Sequence, residues 1–270
     1  MTKDNVLITG STDGIGKETA LELARNNFKV IIHGRSKQKC IETVKEIKNL
    51  SANAEVDYFT ADFSLLGNVK LLADFIKQNH KDLNTLVNNA GVYMTEKNLS
   101  NDGFEMTFAV NYLAHFYLTN LLLNVLIHNE PSRIINVSSA AHFGGAVDFE
   151  NLQSEKHFEG YQAYSNSKLY NIIFTYTLAE KLKNSGITVN ALHPGVISTK
   201  LLRAGFRMSG AGVKEGASTS VYLATSPEVE KISGKYFDKR RAVASSKLSY
   251  DKDTADKLWK LSVDLIGLTE

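Results

Sequence analysis

The sequence predicts an α/β fold, a doubly wound parallel sheet flanked by helices, on three observations. Short apolar runs alternate with longer helical patterns along the whole chain of 270 residues. Several of those runs are apolar at every position, which is the mark of strands covered on both faces. A glycine-rich turn joins the first run to the first helical pattern, where α/β sheets bind nucleotides.

Taken in order, the predicted strands are Val6-Leu7-Ile8, Val30-Ile31-Ile32, Val56 to Phe59, Thr85-Leu86-Val87, Ile134 to Val137 and Thr188 to Leu192. Helices are predicted over 14–26, 37–49, 65–79, 104–128, 163–184 and about 251–266. On the first of these, Ile15, Thr19, Ala20, Leu23 and Ala24 make one apolar stripe. Repeated β-α units imply right-handed crossovers. No linker or repeat divides the chain, so residues 1–270 are read as one domain. A Gly-, Ala- and Ser-rich stretch over 203–217 is expected to form a mobile substrate loop, centred on about 200–215.

Composition narrows the function classes. Hydrophobic content is 43%, charged content 22% and net charge +2, with no basic cluster to mark a nucleic-acid partner. Cys40 is the only cysteine, so no internal disulfide is expected. The stretch Phe108 to Ile127 is apolar enough to be mistaken for a membrane span. Asn111, His115, Asn120 and Asn124 interrupt it, and a buried helix is the reading adopted. Met1 to Asp4 lead straight into the first strand, so a cytoplasmic protein without a signal peptide or anchor is expected. No histidine has metal-ligand spacing, and no metal is expected.

The turn Gly10-Ser11-Thr12-Asp13-Gly14-Ile15-Gly16 opens the first helix. Its glycines permit a tight turn and bring a pyrophosphate against helix N-terminal amides. Ser11 and Thr12 are expected to add hydroxyl donors. This makes the fold Rossmann-like. An acid at the end of the second strand would select NAD by bonding its ribose. Here the chain reads His33-Gly34-Arg35-Ser36-Lys37, and Arg35 with Ser36 suits a 2′-phosphate, so NADP(H) is expected over NAD(H). Asp62-Phe63 and Asn89-Ala90-Gly91 follow the third and fourth strands, where the rest of a cofactor pocket belongs.

Tyr164 and Lys168 are spaced i,i+4 and share a helix face. A phenol has an ordinary pKa near 10, and a neighbouring ammonium lowers it toward use as an acid/base. Ser138-Ser139 end the preceding strand, where a hydroxyl can bind a substrate oxygen.

With these motifs in order, the chain resembles the short-chain dehydrogenase/reductase family over essentially its full length. The resemblance rests on Thr9-Gly10-x-x-x-Gly14-Ile15-Gly16, Asp62, Asn88-Asn89-Ala90-Gly91, Asn111, Ser138-Ser139, Tyr164-x-x-x-Lys168 and Pro194-Gly195-x-x-x-Thr199. It implies Tyr164 as acid/base, Ser139 as the hydroxyl on the carbonyl and Lys168 on the nicotinamide ribose. Asn111 would support a water linked to that lysine. Thr199 would hold the carboxamide, beside Pro194 and Gly195, and Asp62 the adenine. Ser138 is the alternative to Ser139.

Tyr164 lies 25 positions beyond Ser139, longer than the family's usual gap. Ala141-His142-Phe143, Asn151 to Lys156, Ser167-Lys168-Leu169-x-Asn171 and His193-Pro194-Gly195 are similar to the retinol dehydrogenase and WW-domain oxidoreductase branch. The implied activity is NADP(H)-dependent interconversion of an aldehyde or ketone and an alcohol, in EC 1.1.1.-. A weakly active NADP(H)-binding sensor and a reductase of an activated C=C bond are the alternatives. The partner is a small carbonyl or alcohol, and a homodimer is in keeping with the family. Tyr93, Met94, the 141–160 insertion and the 200–215 loop are the expected substrate walls. His142 is expected to pack its loop rather than touch substrate.

Overall fold

A computed structural model describes residues 4–206 and 209–268. Met1 to Lys3, Arg207 and Met208 within the predicted loop, and Thr269 and Glu270 lie outside the described residues. The elements run β1 (Asn5–Ile8), α1 (Gly14–Arg25), β2 (Lys29–Gly34), α2 (Lys37–Ser51), β3 (Val56–Thr60), α3 (Leu66–Asn79) and β4 (Thr85–Asn88). There follow α4 (Met106–Phe108), a π-turn over Ala109–Leu113, α5 (Ala114–His128), β5 (Ser132–Val137), α6 (Gly160–Lys181) and β6 (Ile187–His193). The chain closes with α7 (Lys200–Phe206), α8 (Val213–Thr225), β7 (Lys235–Asp238), β8 (Arg241–Val243) and α9 (Lys252–Ile266).

Sheet order is β3-β2-β1-β4-β5-β6-β7-β8, parallel except for β8. The order reverses between β1 and β4, which opens a crevice at their carboxyl ends. Successive strand residues face opposite layers. Leu7, Ile31, Leu86 and Ile134 enter the core under α3, α5 and α6, whereas Val6, Ile8, Val30, Ile32 and Ile135 enter the core under α1 and α8. Burial on both faces is why these strands read as unbroken apolar runs.

All six predicted strands are present. β7 and β8 were not foreseen: Lys235-Tyr236-Phe237-Asp238 is short, and β8 is an exposed edge with no apolar face to signal it. Within the stretch predicted as a loop, 200–206 is helical and α8 begins at Val213. Gly212 leads into α8, and Gly216 within it packs closely, since a Cβ there would stand 2.8 Å from Ile197 Cγ1 and 2.9 Å from Ile15 Cγ1. Met106–His128 is the one helix, among the described residues, long and apolar enough to cross a membrane. Its Phe116, Leu118, Leu122 and Leu126 are fully buried in the core, which accounts for its hydropathy.

Candidate active site

The glycine turn is built by its backbone. Gly10 has φ +64°, and a Cβ there would lie 2.7 Å from the Ala90 Cα, so the turn sits directly on the end of β4. Gly10 N donates to His33 Nδ1 at 3.1 Å. The other ring nitrogen, Nε2, therefore carries the proton and donates to the Ala61 carbonyl at 3.1 Å. Burial pulls the His33 pKa down to about 4, so the ring is neutral and can keep that arrangement. His33 stacks on Phe63 at 4.2 Å. This histidine, which the sequence shows only as part of a strand end, is the hub of the turn.

Ser11 is corrected. Its Oγ donates to the Ile8 carbonyl at 2.7 Å and accepts from His33 N at 3.0 Å, and its own N donates to the His33 carbonyl. A fully buried Ser11 ties β1 to β2 and does not face the crevice. Ser36 likewise stands outside the crevice wall; its Oγ accepts from Lys39 N as the N-cap of α2. Thr12, Gly14, Ile15, Gly16 and Arg35 do line it, with Asp62, Phe63, Asn89, Ala90 and Gly91 opposite. Asp13 caps α1 through Oδ1 to Gly14 N at 2.8 Å, and its Oδ2 meets Lys200 Nζ at 2.5 Å.

Thr9 ties the two halves of the crevice together. Its Oγ1 accepts from Asn89 N at 2.8 Å and from Ala90 N at 2.9 Å. His115 Nδ1 donates to the Asn111 carbonyl at 3.1 Å, which leaves Nε2 to accept the Thr9 hydroxyl proton at 3.0 Å. This explains one polar interruption in the apolar helix. Another is Asn111, which occupies the π-turn. Its side chain bridges Val92 N (2.7 Å), Val92 O (3.0 Å) and Ser167 Oγ (3.1 Å), while its carbonyl also accepts from Asn171 Nδ2 at 3.0 Å. The Asn111 backbone carbonyl is thus met by two protein donors, His115 Nδ1 and Asn171 Nδ2. Asn88 plays the bland part expected of a strand-tying amide, donating to Asn136 Oδ1 at 2.8 Å and Thr119 Oγ1 at 2.9 Å.

At the far end, Tyr164, Lys168 and Ser139 converge. The Tyr164 hydroxyl is hydrogen-bonded with Ser139, and burial pushes the phenol up to about 12. Lys168 Nζ donates to the Val137 carbonyl at 3.0 Å and sits 5.6 Å from the Tyr164 ring centroid. Burial brings the Lys168 pKa down to about 8. Ser138 is turned away, its Oγ donating to the Lys168 carbonyl at 2.7 Å. His142 donates from Nδ1 to the Ser139 carbonyl (2.7 Å) and accepts from Ser246 N (3.1 Å), so it packs the loop after β5.

Ser139, Tyr164, Lys168 and the glycine turn open on one cleft of about 530 Å³ that runs from Arg35 to Tyr161. Pro194, Gly195 and Thr199 wall it, and Thr199 Oγ1 accepts from Leu202 N at 3.2 Å to cap α7. Ala141, Tyr161, Val196, Leu201 and Leu202 make its mouth apolar, whereas Tyr93 and Met94, expected as walls, are not part of the lining. Among the described residues no cluster of three or more His, Cys, Asp or Glu side chains is placed to hold a metal.

A dinucleotide fits this cleft. A Cβ on Gly91 would stand 3.5 Å from Asn111 Oδ1 and 3.7 Å from Lys168 Nζ, so the bare glycine leaves a cradle beside the ammonium. Fold, glycine turn and tyrosine–lysine pair together define a nicotinamide-dependent oxidoreductase. The family model described as short chain dehydrogenase matches residues 4–210, and the chain belongs to that family. Mouse "Retinol dehydrogenase 13" is 41% identical over 97% of this chain and 84% of its own length. A crystal structure of an uncharacterised protein from Mycobacterium paratuberculosis matches with TM-score 0.83 and 30% identity, covering 98% of this chain and 94% of that one. A short chain dehydrogenase from Escherichia coli CFT073, complexed with NADPH, shares the fold at TM-score 0.74 and 22% identity over 89% of this chain and 98% of its own.

Proposed function

We propose that this oxidoreductase interconverts an apolar aldehyde or ketone with its alcohol and uses NADP(H) in preference to NAD(H). The observation that carries the reading is the Tyr164–Ser139 hydrogen bond at the cleft wall, with Lys168 behind it. When bound, the dinucleotide supplies or accepts the hydride. Lys168, beside the Gly91 cradle, would hold its nicotinamide ribose, Thr199 its carboxamide, and Arg35 its 2′-phosphate.

In the reducing direction Tyr164 keeps its proton at neutral pH, held there by burial, and delivers it from Oη as charge grows on the carbonyl oxygen. Ser139 Oγ orients that oxygen and stabilises the charge. In the oxidising direction the Lys168 ammonium favours the phenolate, as an adjacent cation must. Asn111 holds Val92 and Ser167 and so fixes the floor next to Lys168.

The apolar mouth and the retinol dehydrogenase named among the relatives support a lipophilic substrate, and retinaldehyde is the first compound to assay. Tyr164→Phe lowers kcat by roughly 10²–10⁴-fold while NADPH still binds. Turnover near that of the parent in this variant removes Tyr164 as the proton donor. A dead carbonyl panel despite tight NADPH binding favours a nucleotide-sensing role instead. Product mass and NMR separate C=O from C=C reduction.

A further inference from the structure

Tyr93 stands outside the cleft wall, yet two helices, α6 and α7, close on its ring. A Cβ on Gly205 of α7 would lie 2.8 Å from both Cγ and Cδ2 of Tyr93 and 3.0 Å from Cδ1, so α7 rests flat against the ring through a residue with no side chain. A Cβ on Gly160, the first residue of α6, would lie 3.5 Å from Tyr93 Oη, with the Met94 carbonyl nearer still. On its remaining side the Tyr93 ring centroid is 5.7 Å from that of Tyr164, with the planes inclined at 50°. Gly205 clears the space for the aromatic ring beside the proposed proton donor, and Gly160 clears it for the Met94 carbonyl next to that ring.

The other end of α7 belongs to the cofactor side. Thr199 caps it, Lys200 pairs with Asp13 at the start of α1, and Leu201 and Leu202 face the cleft. One short helix therefore touches the glycine turn at one end and Tyr93 at the other.

We propose that Tyr93 is a positioning residue whose ring transmits the seating of α7 to Tyr164. With α7 seated, Gly205 pins the Tyr93 ring, and the ring denies Tyr164 the sideways movement that would carry its Oη away from Ser139. With α7 displaced, the ring is released and the phenol loses that support. The proposal rests on the reading of Tyr164 as proton donor.

The test is a double-mutant cycle on Tyr93 and Gly205, read in kcat, in KM for NADPH and in hydrogen exchange of the 200–206 amides. Tyr93→Ala lowers kcat roughly 10- to 100-fold, the cost of a slightly misplaced reacting group, with KM for NADPH little changed. Tyr93→Phe keeps the ring and restores kcat. Gly205→Ala lowers kcat and speeds exchange in α7 in the parent, because its methyl group meets the ring. In the Tyr93→Ala background the same change has no ring to meet, and kcat shifts by about twofold at most. Additive losses, full kcat in folded Tyr93→Ala, or Tyr93→Phe as impaired as Tyr93→Ala would each overturn the proposal. If Tyr164→Phe proves active, the proton-donor reading fails by itself, and the exchange data still report whether Tyr93 and Gly205 are coupled.

Discussion

The Ser138 hydroxyl donates to the backbone carbonyl of Lys168 at 2.7 Å, locking the end of β5 to the helix that carries the tyrosine–lysine pair. That bond separates two adjacent serines that sequence alone leaves as alternatives. Ser138→Ala removes the donor from a buried carbonyl and lowers stability by about 1–3 kcal/mol, with kcat largely kept. Ser139→Ala lowers kcat by roughly 10²-fold with a smaller loss of stability. Urea midpoints and kcat measured on both variants check the division; equal loss of kcat in the two would contradict it.

Arg35 is exposed at the adenine end of the cleft, and no carboxylate follows β2 to compete for the ribose. Arg35→Ala lowers kcat/KM for NADPH by about 10- to 100-fold, the weight of a charge-assisted contact, and leaves NADH little affected. A parent enzyme that prefers NADH would reject the 2′-phosphate role.

Lys168 carries a pH signature in the cofactor-free protein. Its folded pKa of about 8 lies below the ordinary lysine value of 10.5. Between those values the unfolded chain holds a proton that the folded one has released, so this group makes stability rise with pH across that window. Below about pH 8 its buried ammonium is a constant burden. Denaturant titrations of parent and Lys168→Met from pH 7 to about 10.5 should show the rise in the parent and its loss in the variant.

His33 gives the opposite limb of the profile. Its folded pKa is about 4 against an ordinary 6.5, so stability is lost as pH falls through that interval, where only the unfolded chain gains the proton. His33→Phe flattens that acid limb. It also removes the acceptor for Gly10 N, at a cost of about 1–3 kcal/mol, and weakens NADPH binding because the glycine turn loosens. Fluorescence titration with NADPH measures the second effect, and unchanged affinity would detach His33 from the turn.

Much of this molecule is written locally in its chain. Strands buried on both faces carry apolar runs, so the centres of β1, β2 and β5 declare themselves, the edge strand β3 shows only as a β-branched and aromatic run, and i,i+4 spacing alone puts Tyr164 and Lys168 on one helix face. A glycine turn between strand and helix likewise marks the cofactor end without any knowledge of its neighbours. What the local pattern does not carry is direction across the packed interior. Ser11 and Ser138 have the hydroxyls a ligand would want, but each is turned to a backbone carbonyl from another element. Tyr93 reads as a wall but lies outside the cleft lining, because α7 approaches through Gly205 and covers its ring. His33 and His115 read as ordinary strand and helix residues, yet burial makes them neutral and their ring nitrogens join the ends of β1, β2 and β3 and the π-turn. Periodicity and spacing therefore determined the fold and the shared helix face of Tyr164 and Lys168. The choice among neighbouring polar groups was made by tertiary packing, because a buried donor or acceptor goes wherever a partner removes its desolvation cost.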